Sequence, residues 1–137
     1  MTLTNRSHTG ELGAVGKIIA VWLVVVAFVG LAAIDAGSIA FTKFRLADTA
    51  STASTAAANS YRASHDENQA CQAAVDVVTT QGEGAKFASQ GCVVNTATGT
   101  VTVTLRKEAK TILAGRFSFT KKYTKVKASE TNGPTTL

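Results

Sequence analysis

Proline is almost missing from this chain: 137 residues contain one, Pro134. Between Ser38 and Gln81 there is neither proline nor glycine, so nothing in that stretch breaks a helix. Cysteine is nearly as scarce. Cys71 and Cys92 are the only two, with no C-x-x-C spacing and no histidine nearby, which argues against a metal site or thiol redox catalysis. The two fit a structural disulfide, the alternative being two unrelated free thiols. A link closing a loop of that length is worth roughly 3 kcal/mol in the chain-entropy model, and it persists only in an oxidising compartment. Beyond the apolar run there is one histidine, His65, beside Asp66 and Glu67. It lacks any Ser/His or Cys/His context and reads as a solvated helix residue. Gly82 and Gly84 stand outside a strand–loop–helix setting, so they make no phosphate-binding loop. Without a convergent set of titratable groups, neither an enzyme nor a cofactor or metal is expected.

What the chain does have is a run of 17 uncharged residues, 18–34, holding Trp22, Phe28 and five valines, with Asp35 immediately after it. That length is at the short end of the roughly 17–25 residues that span hydrocarbon. If the helix continues, residues 36–42 (AGSIAFT) extend it beyond Asp35. Lys17 and Arg6 lie before the run and Lys43 and Arg45 after it, so charge is a weak guide to orientation. The short N-terminal flank favours N-in, C-out, and the cysteines agree. Two other readings compete: a secretory signal peptide cut near residues 33–40, and the core helix of a soluble protein. Asp35 either marks the water boundary or, inside an assembled bundle, pairs with a neighbour and sets register.

Residues 46–64 read LADTASTASTAAANSYRAS. Leu46, Ala50, Ala53, Ala57, Tyr61 and Ser64 recur at spacings of four and three, a helical stripe of mostly small side chains. Such stripes let helices approach closely, whereas a flexible Ser/Thr/Ala linker is the competing reading. Continuous from Gly13 to Ser64, the rod measures about 78 Å. The cluster HDENQ breaks it. Asp66 then serves as N-cap of a second helix with Ala70, Ala74, Val77 and Val78 on one face, ended by Gln81-Gly82-Glu83-Gly84. A hairpin follows, from Cys92-Val93-Val94-Asn95 through residues 96–99 to residues 101–105. Val101, Val103 and Leu105 face inward there, and Thr102, Thr104 and Arg106 outward. Residues 107–113 are expected to form a helical turn. Phe117, Phe119 and Tyr123 are expected on one face of a third strand that carries Lys121, and residues 130–137 in a disordered tail.

The fold class expected is therefore α+β: a long transmembrane helix extending into a head of one helix and about three antiparallel strands. The organisation expected is a leader or cytoplasmic flank at 1–17, the helix at 18–64, a disulfide-stapled head at 65–129 and the tail at 130–137. So small a head, about 65–70 residues, has a marginal core by itself.

Net charge is +5, and the cations cluster: Arg106, Lys107, Lys110, Arg116, Lys121, Lys122, Lys125 and Lys127 face a single acid, Glu108. The patch suits nucleic acid, anionic lipid or an acidic envelope polymer, and equally a solvated strand face whose lysines guard a sheet edge. Export removes nucleic acid as a partner.

Residues 13–58, from Gly13-Ala14-Val15 through Gly30-Leu31 and Asp35 to Arg45-Leu46 and the Ala-rich stretch, resemble the N-terminal segment of TadE/TadG-like proteins of tight-adherence type IV pili. The similarity covers about a third of the chain. It implies a membrane-anchored minor pilin or pseudopilin-like subunit in the bacterial cytoplasmic membrane, with its head outside and a place in an extracellular pilus open to it. Partners would be the lipid bilayer, other pilus subunits through the helix, and the assembly machinery. Candidate leader cuts follow Gly10, Gly13 or Gly16. Pilin-type processing usually leaves glutamate fifth after the cut, yet Ile18 or Val15 stands there, so a permanently anchored subunit is as compatible as a cleaved one. The rival is a membrane-anchored or secreted basic module for an anionic surface polymer or glycan. On the assembly reading, leucine at Ala50, Ala53 or Ala57 disrupts assembly and leaves the head folded.

Overall fold

The computed structural model describes residues 9–134, with side chains from residue 13 onward. Helix α1 runs unbroken over Thr9–Ser64, 56 residues, about 84 Å of axis. Its Ser/Thr tract is accommodated inside the helix itself. The hydroxyls of Thr42, Thr49, Thr52, Thr55 and Ser64 donate to the carbonyls of Ser38, Arg45, Asp48, Ser51 and Ser60, one turn back, at 2.8–3.0 Å. This residue type therefore does not loosen the rod into a linker.

α1 ends at His65, whose positive φ of 54° turns the chain while its N–H donates to the Tyr61 carbonyl at 2.7 Å. Asp66 caps the next helix as expected, its carboxylate accepting from Asn68 N–H at 2.7 Å and Gln69 N–H at 3.2 Å. Helix α2 spans Glu67–Gln81 and buries Ala70, Ala74 and Val78. Val77 is half-buried against the same cluster. Gly82 closes α2 by donating to the Val78 carbonyl, where a side chain would collide with that oxygen.

Three strands follow, β1 (Lys86–Asn95), β2 (Thr100–Glu108) and β3 (Lys125–Asn132), in one antiparallel sheet of order β1-β2-β3. The β1–β2 turn is held by Asn95, whose side-chain oxygen accepts from the N–H groups of Ala97 and Thr98. Cys92 opposes Val103 and Val94 opposes Val101, and between Phe87 and Cys92 the register is broken by a bulge containing Gln90 at φ 56°. Val101, Val103 and Leu105 are fully buried, and on the outer face Thr102 pairs with Thr131 and Thr104 with Ser129 through their hydroxyls.

The fold is α+β with a long apolar helix first, then a second helix and a three-stranded antiparallel sheet. Its core crosses the expected boundary at Ser64. Leu46, Ala50, Ala53, Ala57 and Ala58 from α1 join Ala70, Ala74 and Val78 from α2 with Val101, Val103, Leu105, Val126 and Ala128 from the sheet. Mostly alanine on the helix side, this core lets sheet and helices approach closely. Cys71 and Cys92 are disulfide-bonded, Cα atoms 5.9 Å apart, joining α2 to β1.

Three local expectations need correction. Lys107 and Glu108 belong to β2, and residues 109–113 form an irregular segment, not a helical turn. Phe117 and Phe119 lie in turns and Tyr123 and Lys121 in a 3-10 turn. The alternation Phe-Ser-Phe-Thr looks like a strand, but the Thr120 hydroxyl lies within hydrogen-bonding distance of the Ala114 and Phe117 carbonyls and folds the segment back. The third strand lies further on, and Glu130, Thr131 and Asn132 are part of it, not of a tail. Residues 1–8 and 135–137, with the remainder of the flank and tail expectations, lie outside the described residues.

Candidate functional site

α1 has two unlike halves. From Gly13 to Gly30 every residue is exposed, including Trp22, Leu23 and Phe28. α1 is long and apolar enough to cross a membrane. Past residue 34 the helix becomes the floor of the head.

The junction is marked by Asp35, only 4% exposed. Its carboxylate accepts three consecutive backbone N–H groups from the β2–β3 connection: Ile112 at 2.6 Å, Leu113 at 2.7 Å and Ala114 at 2.7 Å. Successive amides turned toward one anion make a small nest. Asp35 stands just outside the apolar run. The Ile112 N–H holds its carboxyl below the ordinary carboxylate range, against the upward pull of burial, with Ala114 and Leu113 adding to the lowering. One turn on, the Ser38 hydroxyl donates to the Lys110 carbonyl at 2.6 Å. Asp35 is thus neither a bare water-boundary marker nor an unpaired charge awaiting a neighbouring subunit. Its partner is in the same chain, and because that partner is backbone, no side-chain pattern announces it.

A second clasp lies higher on α1. The Asn132 side-chain amide, at the end of β3, donates to the Ser51 carbonyl and, at 2.6 Å, to the Ser54 hydroxyl. The stripe expected to pack against other helices begins between the clasps and runs past the second, to Ala57. Leu46 is 2% exposed and Ala50, Ala53 and Ala57 are 0% exposed, all inside the chain's own core. Leucine at those alanines therefore strikes the head directly, contrary to the expectation that the head would stay folded.

The eight cations of the basic patch fall into two groups. Arg106 and Lys127 are register partners on the outer sheet face, with Lys86 opposite Arg106 on the other side, so three cations form one row across the strands. Lys125 opposes Glu108. Lys107 points to the other face, 4.0 Å from Glu83, which also holds Arg45 at 2.9 Å. The rest, Lys110, Arg116, Lys121 and Lys122, sit in the segment that Asp35 grips. Between this segment and α1 runs an apolar groove of about 350 Å³, lined by Ala32, Asp35, Ala36, Ile39, Leu113, Ala114, Phe117 and Thr120.

His65 is exposed and meets Tyr61 edge-on, ring centroids 5.9 Å apart. Gly10, Gly13 and Gly16 all lie in the first turns of α1, and Gly13 and Gly16 are open on all sides. Among the described residues, no three His, Cys, Asp or Glu side chains group as a metal site would require.

The chain is thus an α+β protein with one membrane-competent helix, on whose far half its small head is built. No protein-family model, no curated protein and no solved structure matches it.

Proposed function

We propose that this protein is a non-enzymatic, membrane-anchored minor pilin or pseudopilin-like subunit of a tight-adherence type IV pilus, single-pass with its head outside. The observation that carries the reading is the division of α1. One unbroken helix leaves its apolar run, residues 18–34, exposed at every position but the half-buried Leu31, and devotes its later half to the head. An uncovered apolar helix must be solvated by lipid or by other helices, and a subunit passing from bilayer to filament meets both. The ordered resemblance of residues 13–58 to TadE/TadG-like segments supports the same reading, and the disulfide agrees with an exported head.

The test is fractionation of native cells with and without the gene. Recovery of the chain in sheared surface filaments, or loss of filaments on deletion, supports the proposal. A chain confined to membranes whose deletion leaves filaments intact refutes it. Its mature N-terminus, read by intact mass, then separates a cut after Gly10, Gly13 or Gly16 from a permanently anchored form.

The cationic row Lys86, Arg106, Lys127 favours a second reading, a basic module that binds an anionic surface polymer or glycan. It requires binding that weakens with salt and is lost on Arg106→Glu.

A further inference from the structure

We infer that the segment 109–124 is a membrane-docking element that seats on an anionic phospholipid surface and holds the head against the bilayer. The inference rests on the reading that residues 18–34 cross the membrane. Depth follows from the helix. Asp35 grips Ile112, Leu113 and Ala114, one residue past the apolar run. Phe117 and Leu113 face Ala32, within that run, across the apolar groove. Between Ala32 and Asp35 the helix rises about 4.5 Å, less than the roughly 5–7 Å headgroup layer on one side of a bilayer. With α1 inserted, this segment stands at the boundary between acyl chains and headgroups.

Its composition suits that depth. Ile112 is 51% exposed, Phe117 49%, Phe119 73% and Tyr123 62%. Water is a poor solvent for such a group, whereas Tyr favours the headgroup interface and Phe and Ile the acyl boundary just beneath it. The two phenylalanine rings lie together, centroids 5.7 Å apart. The same 16 residues carry Lys110, Arg116, Lys121 and Lys122 and no acid. Cations flanking exposed aromatics match an anionic headgroup layer, each contributing about fivefold to association when near the surface. The outer sheet face, by contrast, presents threonine and serine pairs beside its cationic row, and gripping by Asp35 gives the segment a fixed place along the helix.

The full-length chain is reconstituted in vesicles of phosphatidylcholine, with and without equimolar phosphatidylglycerol, and its tryptophan emission is quenched by lipids brominated high on the acyl chain. Wild-type Trp22 reports the anchor. Phe119→Trp in a Trp22→Phe background reports the segment, with Ser118→Trp in the same background as a second probe should the first fail to fold. Quenching at position 119 or 118 in the anionic vesicles, with the docking equilibrium weakened by at least about a hundredfold by Arg116→Glu, Lys121→Glu and Lys122→Glu together, is the expected result. Quenching of Trp22 without quenching at 119 or 118 overturns the inference and leaves the anchor standing. Quenching at 119 or 118 that ignores phosphatidylglycerol and the charge reversals overturns the anionic-lipid assignment. No quenching at any position overturns the inference together with the anchoring on which it rests.

Discussion

Ala53→Leu tests whether the head is built on the helix. Ala53 is fully buried among α1, α2 and the sheet, in a cluster dominated by alanine. Leucine adds three carbons where no void receives them, and such overpacking typically costs about 1–3 kcal/mol. The unit concerned, from Leu46 to Asn132, has about 90 residues, for which each kcal/mol moves Tm by roughly 4–8 °C. The expected fall is therefore roughly 4–24 °C. Thr52→Leu is the control: Thr52 is the exposed neighbour, and leucine there improves helix propensity by a few tenths of a kcal/mol. Circular dichroism would be dominated by the long helix, so the readout is amide exchange of Val101, Val103 and Leu105 in detergent-solubilised monomer. Faster exchange in Ala53→Leu than in Thr52→Leu is expected. Equal protection in the two variants would refute the packing described here and return the stripe to contacts between subunits.

Cys71→Ser with Cys92→Ser should destabilise the head by roughly 3 kcal/mol, since the bridge closes a loop over 21 positions; thermal melts with and without reductant measure it, and coincident melts would show that the pair is not bridged. Asp35→Asn should speed amide exchange at Ile112, Leu113 and Ala114 and spare β2, because a carboxamide accepts through one oxygen and turns an amino group toward donors. The Asp35 carboxyl is held below its ordinary value of about 3.8, so the grip should persist from neutral pH down to about that value and be lost as pH falls through the lower, folded one. Exchange at those three amides, followed from pH 7 downward, checks this; release near pH 6 would contradict it. Asn132→Ala should leave Ser54 without that donor and free the end of β3, raising exchange at Thr131 and costing about 1 kcal/mol.

How much of this was legible depends on what kind of partner each residue has. Asp66, the turn through 96–99 and the inward face of Val101, Val103 and Leu105 were readable because their signals are local: a cap, a four-residue turn, a period of two. The bridge between Cys71 and Cys92 was readable by scarcity. β3 escaped because Val126 and Ala128 are weak hydrophobes between charged neighbours, and only pairing with β2 makes them a strand, while Phe117 and Phe119 imitate one. The stripe at Leu46, Ala50, Ala53 and Ala57 was visible, but periodicity names a buried face without saying what buries it. The grip of Asp35 on Ile112, Leu113 and Ala114 spans some 77–79 positions and uses backbone donors, so nothing in residue type could foretell it.

Because α1 supplies Leu46, Ala50, Ala53, Ala57 and Ala58 to the core, the head of this protein begins inside a helix. On the proposed reading, a protease that sheds the head has only the dozen or so residues between Ile34 and Leu46 in which to cut and spare the core, and any cut there beyond Asp35 leaves behind on the anchor the carboxylate that holds residues 112–114. Severed further along, the sheet keeps its strands and its disulfide but loses the wall its inner face rests on, and what is released is an opened fragment prone to stick to its like.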